Sequence, residues 1–317
     1  MFKKYWLIAL MFVLVLSAVL LTSACDEHRS SSSTITLLSG CNRLQVSADG
    51  SATPTINPCR RLLVFSKTAA FRHASIQDGK IALQKLASEH NFAIDLTEDS
   101  AAFTDANLAH YGAVIFLMTT GEIFNDNQQA AFERYIHAGG GFVGIHSASD
   151  TEYDWPWYGE LLGAFNNVAN KHSRILQTTV HVVDRTHPST AMLPSLWVRT
   201  DEWYNFATNP RGKVHVLMTI NESTYTGGTM GADHPIAWWH DFDGGRSWYT
   251  AMGHTSESYY EPLFLAHLWG GITYAVGSGH KQTSISPQSD RILLQQLIER
   301  ANVADITRAK SLVLFHY

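Results

Sequence analysis

The stretch AHYGAVIFLMTTG, residues 109 to 121, limits the folds open to this chain more than any other. From Ala113 to Met118 every side chain is apolar. A strand in a sheet with one wet face alternates apolar and polar residues. A strand without that alternation is covered on both sides, as parallel strands of α/β sheets are. The flanking segments fit the same sheet. RLLVFS (61–66) and NFAIDLTED (91–99) are short apolar strands. Between them, Ile76, Ile81, Leu83, Leu86 and Ala87 recur near a helical period within residues 73–90. Asn125 or Asp126 caps a helix through NQQAAFERYIHA, and GGGFVGIHS from Gly139 is a fourth strand. Strands and helices in this order predict a parallel sheet joined by right-handed crossovers.

After residue 150 the pattern changes. DTEYDWPWYGELLG (150–163) is a loop and short helix rich in aromatic rings. Segments 174–184, 213–220, 234–242 and 245–254 read as strands, the first antiparallel by its alternation, and 261–277 as an amphipathic helix. The expected class is therefore an α/β fold, a mostly parallel sheet with helices on both faces and added antiparallel strands.

The N-terminal end reads as a targeting segment. Lys3 and Lys4 precede an uncharged run from Tyr5 to Leu21, followed by Thr22-Ser23-Ala24 and Cys25. A cysteine behind small residues resembles a lipobox, with Cys25 as the lipidated residue. The alternative is a single signal anchor, because roughly 20 apolar residues can span a bilayer. Either way the rest of the chain is expected outside the cytoplasm, anchored to the membrane of a bacterial envelope. It would face the periplasm from the inner membrane if the source is Gram-negative. The expected organisation is a signal segment over 1–25, a tether and N-terminal extension over 26–60, one domain over 61–277 and an extension over 278–317. Residues 26–36 are polar and Ser-rich, as a flexible tether is. Cys41 and Cys59 either close a small disulfide loop in an oxidising compartment or stay as two free thiols. Residues 278–317 hold one helical segment, RILLQQLIERANVA, and no recognisable motif. A formal net charge of −5 without any Lys/Arg run argues against a nucleic-acid partner.

Ligands of open α/β sheets bind beyond the carboxyl ends of the strands. That rule selects Arg72 and His73 after the first strand, and Glu122 after the third. After the fourth it selects His146, Ser147, Asp150 and Trp155. Farther along, Glu202, Trp203 and Tyr204 stand in RTDEWYNF, and His254 follows Gly253. Asp201 and Glu202 are neighbours, so on a strand they point to opposite faces; Glu202 is taken as the one that faces the pocket. Histidine titrates near neutrality and suits proton transfer. His73, His146, Glu202 and His254 are thus the candidate catalytic groups. Arg72, Glu122, Ser147, Asp150, Trp155, Trp203 and Tyr204 are the candidate substrate contacts. The same imidazoles and carboxylate could hold a divalent zinc or manganese ion, although neither HExxH nor HxH occurs. The GxSxG elbow, the P-loop and a GxGxxG turn after a strand are absent as well. His187, His234, His240, His110, His137 and His267 read as packed, turn or surface residues.

FRHASI, TTGEIFND, GGGFVGIHSASDTEYDWPWYGELLG, DEWYNF, ADHPIAWWHDFDGGRSWYTAMGHTSESY and LWGGITYAVG together resemble the ThuA-like, trehalose-utilisation family. The resemblance covers roughly residues 61–277. It implies a class I glutamine amidotransferase-like, flavodoxin-like fold. The amidotransferase elbow reads GxCxG; here Gly144-Ile145-His146-Ser147-Ala148 puts His146 at the cysteine position. Glutaminase chemistry needs a thiolate there, so the chain is not expected to be a glutamine amidotransferase. What the resemblance implies about activity is the handling of disaccharides, including routes through 3-keto sugars. Two expectations follow. One is an enzyme acting on a disaccharide, glycoside or 3-keto sugar by His-based acid/base or metal-assisted chemistry, whether hydrolysis, isomerisation or elimination. The alternative is a non-catalytic carbohydrate-binding module in which Trp155, Trp157, Trp203 and Tyr204 stack on the sugar.

Overall fold

The computed structural model describes residues 60–169 and 172–277, and the backbone of three short strands before them. Those strands, β1 (Ile35–Ser39), β2 (Asn42–Val46) and β3 (Ala52–Thr55), pair as a small sheet of their own. The leader with Cys25, the pair Cys41 and Cys59, and the 278–317 extension lie outside the described residues. Among the described residues no helix is long and apolar enough to cross a membrane.

The main sheet begins with β4 (Arg61–Phe65), α1 (Ile76–Glu89), β5 (Ala93–Thr97), α2 (Asp105–Leu108) and β6 (Ala113–Leu117). It continues with α3 (Asp126–His137), β7 (Gly141–Ile145) and α4 (Pro156–Leu162). Then come β8 (His172–Val182), β9 (Leu196–Tyr204), β10 (His215–Ile220), β11 (His234–Phe242), β12 (Gly245–Thr250) and α5 (Pro262–Val276). Nine strands are ordered β5-β4-β6-β7-β12-β11-β10-β8-β9. The pairings from β5 through to β12 are parallel. Those from β12 through to β9 are antiparallel. Four antiparallel strands, β11, β10, β8 and β9, thus extend a parallel core of five. The strand Leu196–Tyr204, which sequence reading treated only as a run of site residues, forms their outer edge.

The apolar run around β6 is covered on both faces, as its composition requires. Phe116 stacks with Phe132 of α3 and Tyr158 of α4. Its neighbour Leu117 points the other way, onto α1, where Gly79 leaves room: a Cβ there would come within 2.9 Å of the leucine. Phe65, Phe103, Phe124 and Phe142 join the ring cluster around Phe116. Each fully buried ring of this kind contributes roughly 1.5–3 kcal/mol. The cap on α3 is Asn125, which with Gln128 forms a reciprocal capping box.

Strand direction and curvature place the site. Alternating the antiparallel pairings makes β9 run the same way as β12 and β7. Their carboxyl ends therefore share one edge. In a flat sheet, five spacings of about 4.8 Å would part β9 from β7 by about 24 Å. Yet Glu202 on β9 and His146 just after β7 approach to 3.4 Å. The antiparallel half therefore coils back over the carboxyl edge.

Candidate functional site

The elbow is built from the residues the sequence marked. β7 ends at Ile145 and the chain turns at once into a 3-10 segment, His146–Asp150. His146 takes φ +53, left-handed backbone that is uncommon for any residue but glycine. Its carbonyl is held by the Tyr249 hydroxyl at 2.8 Å. Its Nδ1 lies 2.7 Å from the Ala251 carbonyl. A carbonyl can only accept, so Nδ1 carries a proton, and Nε2 is the nitrogen that faces the cluster. The ring stacks on Tyr204 with centroids 4.3 Å apart.

That Nε2 meets two partners. His254 Nδ1 is 3.1 Å away, and Glu202 Oε2 is 3.4 Å away. Glu202 Oε2 and His254 Nδ1 are 3.0 Å apart. His73 completes the group: its ring packs edge-on to His146 and His254, and Ser147 Oγ lies 3.4 Å from its Nδ1. One ligand atom from each of His73, His146, Glu202 and His254 lies within 4.8 Å of the other three. A tetrahedral ion with bonds of about 2.0–2.2 Å spaces its ligands about 3.3–3.6 Å apart. The triangle formed by His146, Glu202 and His254 is close to that spacing.

Burial shapes the charges. Burial would raise the carboxyl pKa of Glu202, but its hydrogen bonds to His146 and His254 outweigh that and hold it well below the ordinary value. Burial pulls His254 down, and the hydrogen bond and charge of Glu202 more than reverse it, leaving a net upward shift. At His73 the charge of Glu202 offsets only part of the effect: burial, then the nearby His146 and His254, push it down to about 2. It stays neutral at any ordinary pH, as a metal-ligating imidazole must.

Of the two adjacent carboxylates, Glu202 enters the cluster and Asp201 supports it. Asp201 is wholly buried and accepts from the backbone N–H groups of Glu202, Gly253 and His254, and from Arg199. Ser75 Oγ grips the same loop by donating to the His254 carbonyl at 2.6 Å.

Several expected substrate contacts are placed elsewhere. Arg72 forms a bidentate pair with Glu98 on the exposed side. Glu122 is exposed and accepts from the backbone N–H of Tyr153, and Asp150 accepts from the Tyr153 hydroxyl. Trp155 is packed in the ring cluster, with its indole N–H on Glu133. Trp203 is wholly buried, with its indole N–H on the Leu176 carbonyl. Neither ring is open to stack on a sugar: Trp155, at the start of α4, stacks on Trp157 and Tyr158, and Trp203 on β9 is wholly buried. Ser147 and Tyr204 do stand at the cluster. Sequence reading passed over His172, whose Nδ1 is 3.0 Å from Glu202 Oε1, and the Ala251 carbonyl, which has no side-chain signature at all.

The fold is that of an α/β protein with a mixed sheet, and the imidazoles and one carboxylate converge at its carboxyl edge, where open α/β sheets bind ligands. The family model for trehalose utilisation, ThuA, matches residues 61–275, and the chain belongs to that family. Its fold is similar to that of a ThuA-like protein from Bacteroides uniformis, 25% identical, with a TM-score of 0.61 over 70% of this chain and 93% of that chain. A ThuA-like protein from Parabacteroides merdae has a TM-score of 0.58 at 18% identity, over 73% of this chain and 94% of that chain. No curated protein matches significantly.

Proposed function

We propose that the chain is an enzyme acting on a disaccharide, glycoside or 3-keto sugar, with His73, His146, Glu202 and His254 holding a divalent zinc or manganese ion. The observation that carries this reading is the convergence of four ligand atoms within 4.8 Å at the carboxyl edge. The tautomer of His146 is set by Ala251 so that its lone pair faces inward. A divalent ion at this point supplies a Lewis acid for a sugar carbonyl or hydroxyl oxygen. Glu202 brings one negative charge, and the imidazoles of His73 and His146 bring neutral nitrogen. Tyr204 forms a wall of the site, and Ser147 stands beside His73 with a hydroxyl for orientation.

Numbered along the chain, the five parallel strands β4, β5, β6, β7 and β12 lie in the order 2-1-3-4-5, which is the flavodoxin-like order. His146 then occupies the elbow where a class I amidotransferase has cysteine. The burial of Trp155 and Trp203 supports the catalytic reading over a binding module, which would need their faces open. On the leader alone, we also place the enzyme outside the cytoplasm on a lipid at Cys25. Palmitate labelling that is the same in Cys25→Ser and wild type would overturn that placement.

The test of the activity uses purified protein, analysed for bound metal and assayed on 3-keto-trehalose before and after chelation. Near-stoichiometric zinc or manganese, with turnover lost on chelation and restored by the ion, is expected. His146→Asn tolerates the left-handed backbone and should lose both metal and turnover while keeping its melting temperature within a few degrees. Sugar binding that survives with no turnover of any keto-disaccharide by wild type would overturn the enzyme reading.

A further inference from the structure

Glu202 uses its two oxygens differently. Oε2 faces His146 and His254. Oε1 is 3.0 Å from Nδ1 of His172, whose side chain is 45% exposed. That Nδ1 is also 2.7 Å from the Ser173 carbonyl. Both neighbours are acceptors, so Nδ1 carries a proton, and that one N–H is shared between the Ser173 carbonyl and the Glu202 carboxylate.

The backbone explains how His172 comes to be there. In the β8–β9 ladder Ile175 pairs with Glu202, and His172 pairs with Tyr204. Two steps along β9 therefore correspond to three along β8. The extra residue is a β-bulge, a device that re-aims a side chain beside functional sites. Without it Ser173 would lie opposite Tyr204, on the face that carries Glu202. With it His172 takes that place. Ser173 instead accepts the backbone N–H of Trp203 at its Oγ, which pins the bulge to β9.

We infer that His172 is a positioning residue for the metal centre: by occupying Glu202 Oε1 it fixes the carboxylate so that Oε2 alone coordinates. A single coordinating oxygen leaves more of the ion's coordination sphere for substrate oxygens. This rests on the metal reading of the quartet. Outer hydrogen bonds of this kind are worth about 10–100-fold in metal affinity.

The test is a calorimetric titration of chelated full-length protein with ZnCl2 and MnCl2. It compares wild type with His172→Ala and His172→Asn, and records thermal melting of each chelated variant. Wild type should bind about one ion. His172→Ala should bind about 10-fold or more weakly with an unchanged melting temperature. His172→Asn, whose amide N–H can replace the Nδ1 proton, should recover most of the affinity. Equal affinity in His172→Ala overturns the inference and leaves the metal reading standing, as does a loss the asparagine does not restore. Wild type that binds neither ion overturns the metal reading and the inference with it.

Discussion

Asp201 and His254 are joined through the main chain: Asp201 Oδ1 accepts the backbone N–H of His254 at 3.0 Å. The adjacent carboxylate, Glu202, holds the side chain of the same histidine at 3.0 Å. Two consecutive residues of β9, pointing to opposite sides, thus fix one residue of a distant loop by its backbone and its ring. Asp201→Ala would remove the acceptor of three backbone N–H groups and leave Arg199 buried beside an empty position. A loss of about 3–5 kcal/mol is expected, the range for breaking a buried pair from one side. Urea denaturation measures it; a loss below 1 kcal/mol would contradict the role given to Asp201.

Gly253 sits at φ +109, and a Cβ there would come within 2.8 Å of the Tyr259 hydroxyl. Gly253→Ala is therefore both strained and crowded. It should cost about 1–3 kcal/mol and displace His254. Metal affinity should fall more than the melting temperature alone suggests, and paired calorimetry and melting separate the two effects.

Acid should destabilise the fold well before its carboxylates protonate. Burial holds His187 down to about 4 and His267 down to about 3, against an ordinary value of 6.5. Both are neutral when folded and protonate when unfolded, so below pH 6.5 the unfolded chain binds more protons. Their stabilisation is complete above about pH 6.5 and falls away as pH drops toward 4 and 3. At pH 5 the loss is on the order of 2 kcal/mol for each imidazole. His254, shifted upward, acts in the opposite sense: its pairing stabilises below pH 6.5 and fades as pH rises through its folded value. Urea midpoints at pH 5 and pH 7.5 test the balance, and His267→Gln should show the shallower dependence.

Trp203 is wholly buried, with a satisfied indole N–H. Trp203→Ala should therefore cost about 3–5 kcal/mol of stability. Trp203→Phe should cost less and leave sugar affinity unchanged. A titration in which the phenylalanine variant folds normally but loses sugar binding would return Trp203 to the substrate surface.

The sheet was legible because its signal is local. The unbroken apolar run at β6 requires two covered faces, and the glycines before Phe142 and the turn at His146 mark a strand end. His73, His146 and His254 could be placed at one edge by the carboxyl-end rule alone. The antiparallel half was less legible. Its size depends on how β8 and β9 pair, and alternation within a strand does not name the partner.

Sequence by itself determined the parallel core, the family and the residue types available at the strand ends, because hydrophobic period and turn chemistry act over a few neighbouring residues. Only the tertiary structure decided which of those residues meet. Glu202 reaches His146 because the sheet coils back over a distance no local pattern records. Asp201 and Glu202 are divided between support and site by which face of β9 is turned inward. A one-residue bulge exchanges Ser173 for His172. Trp155 and Trp203, read as sugar contacts from their aromatic character, were claimed instead by the core, where burying a ring is worth more than leaving it in water.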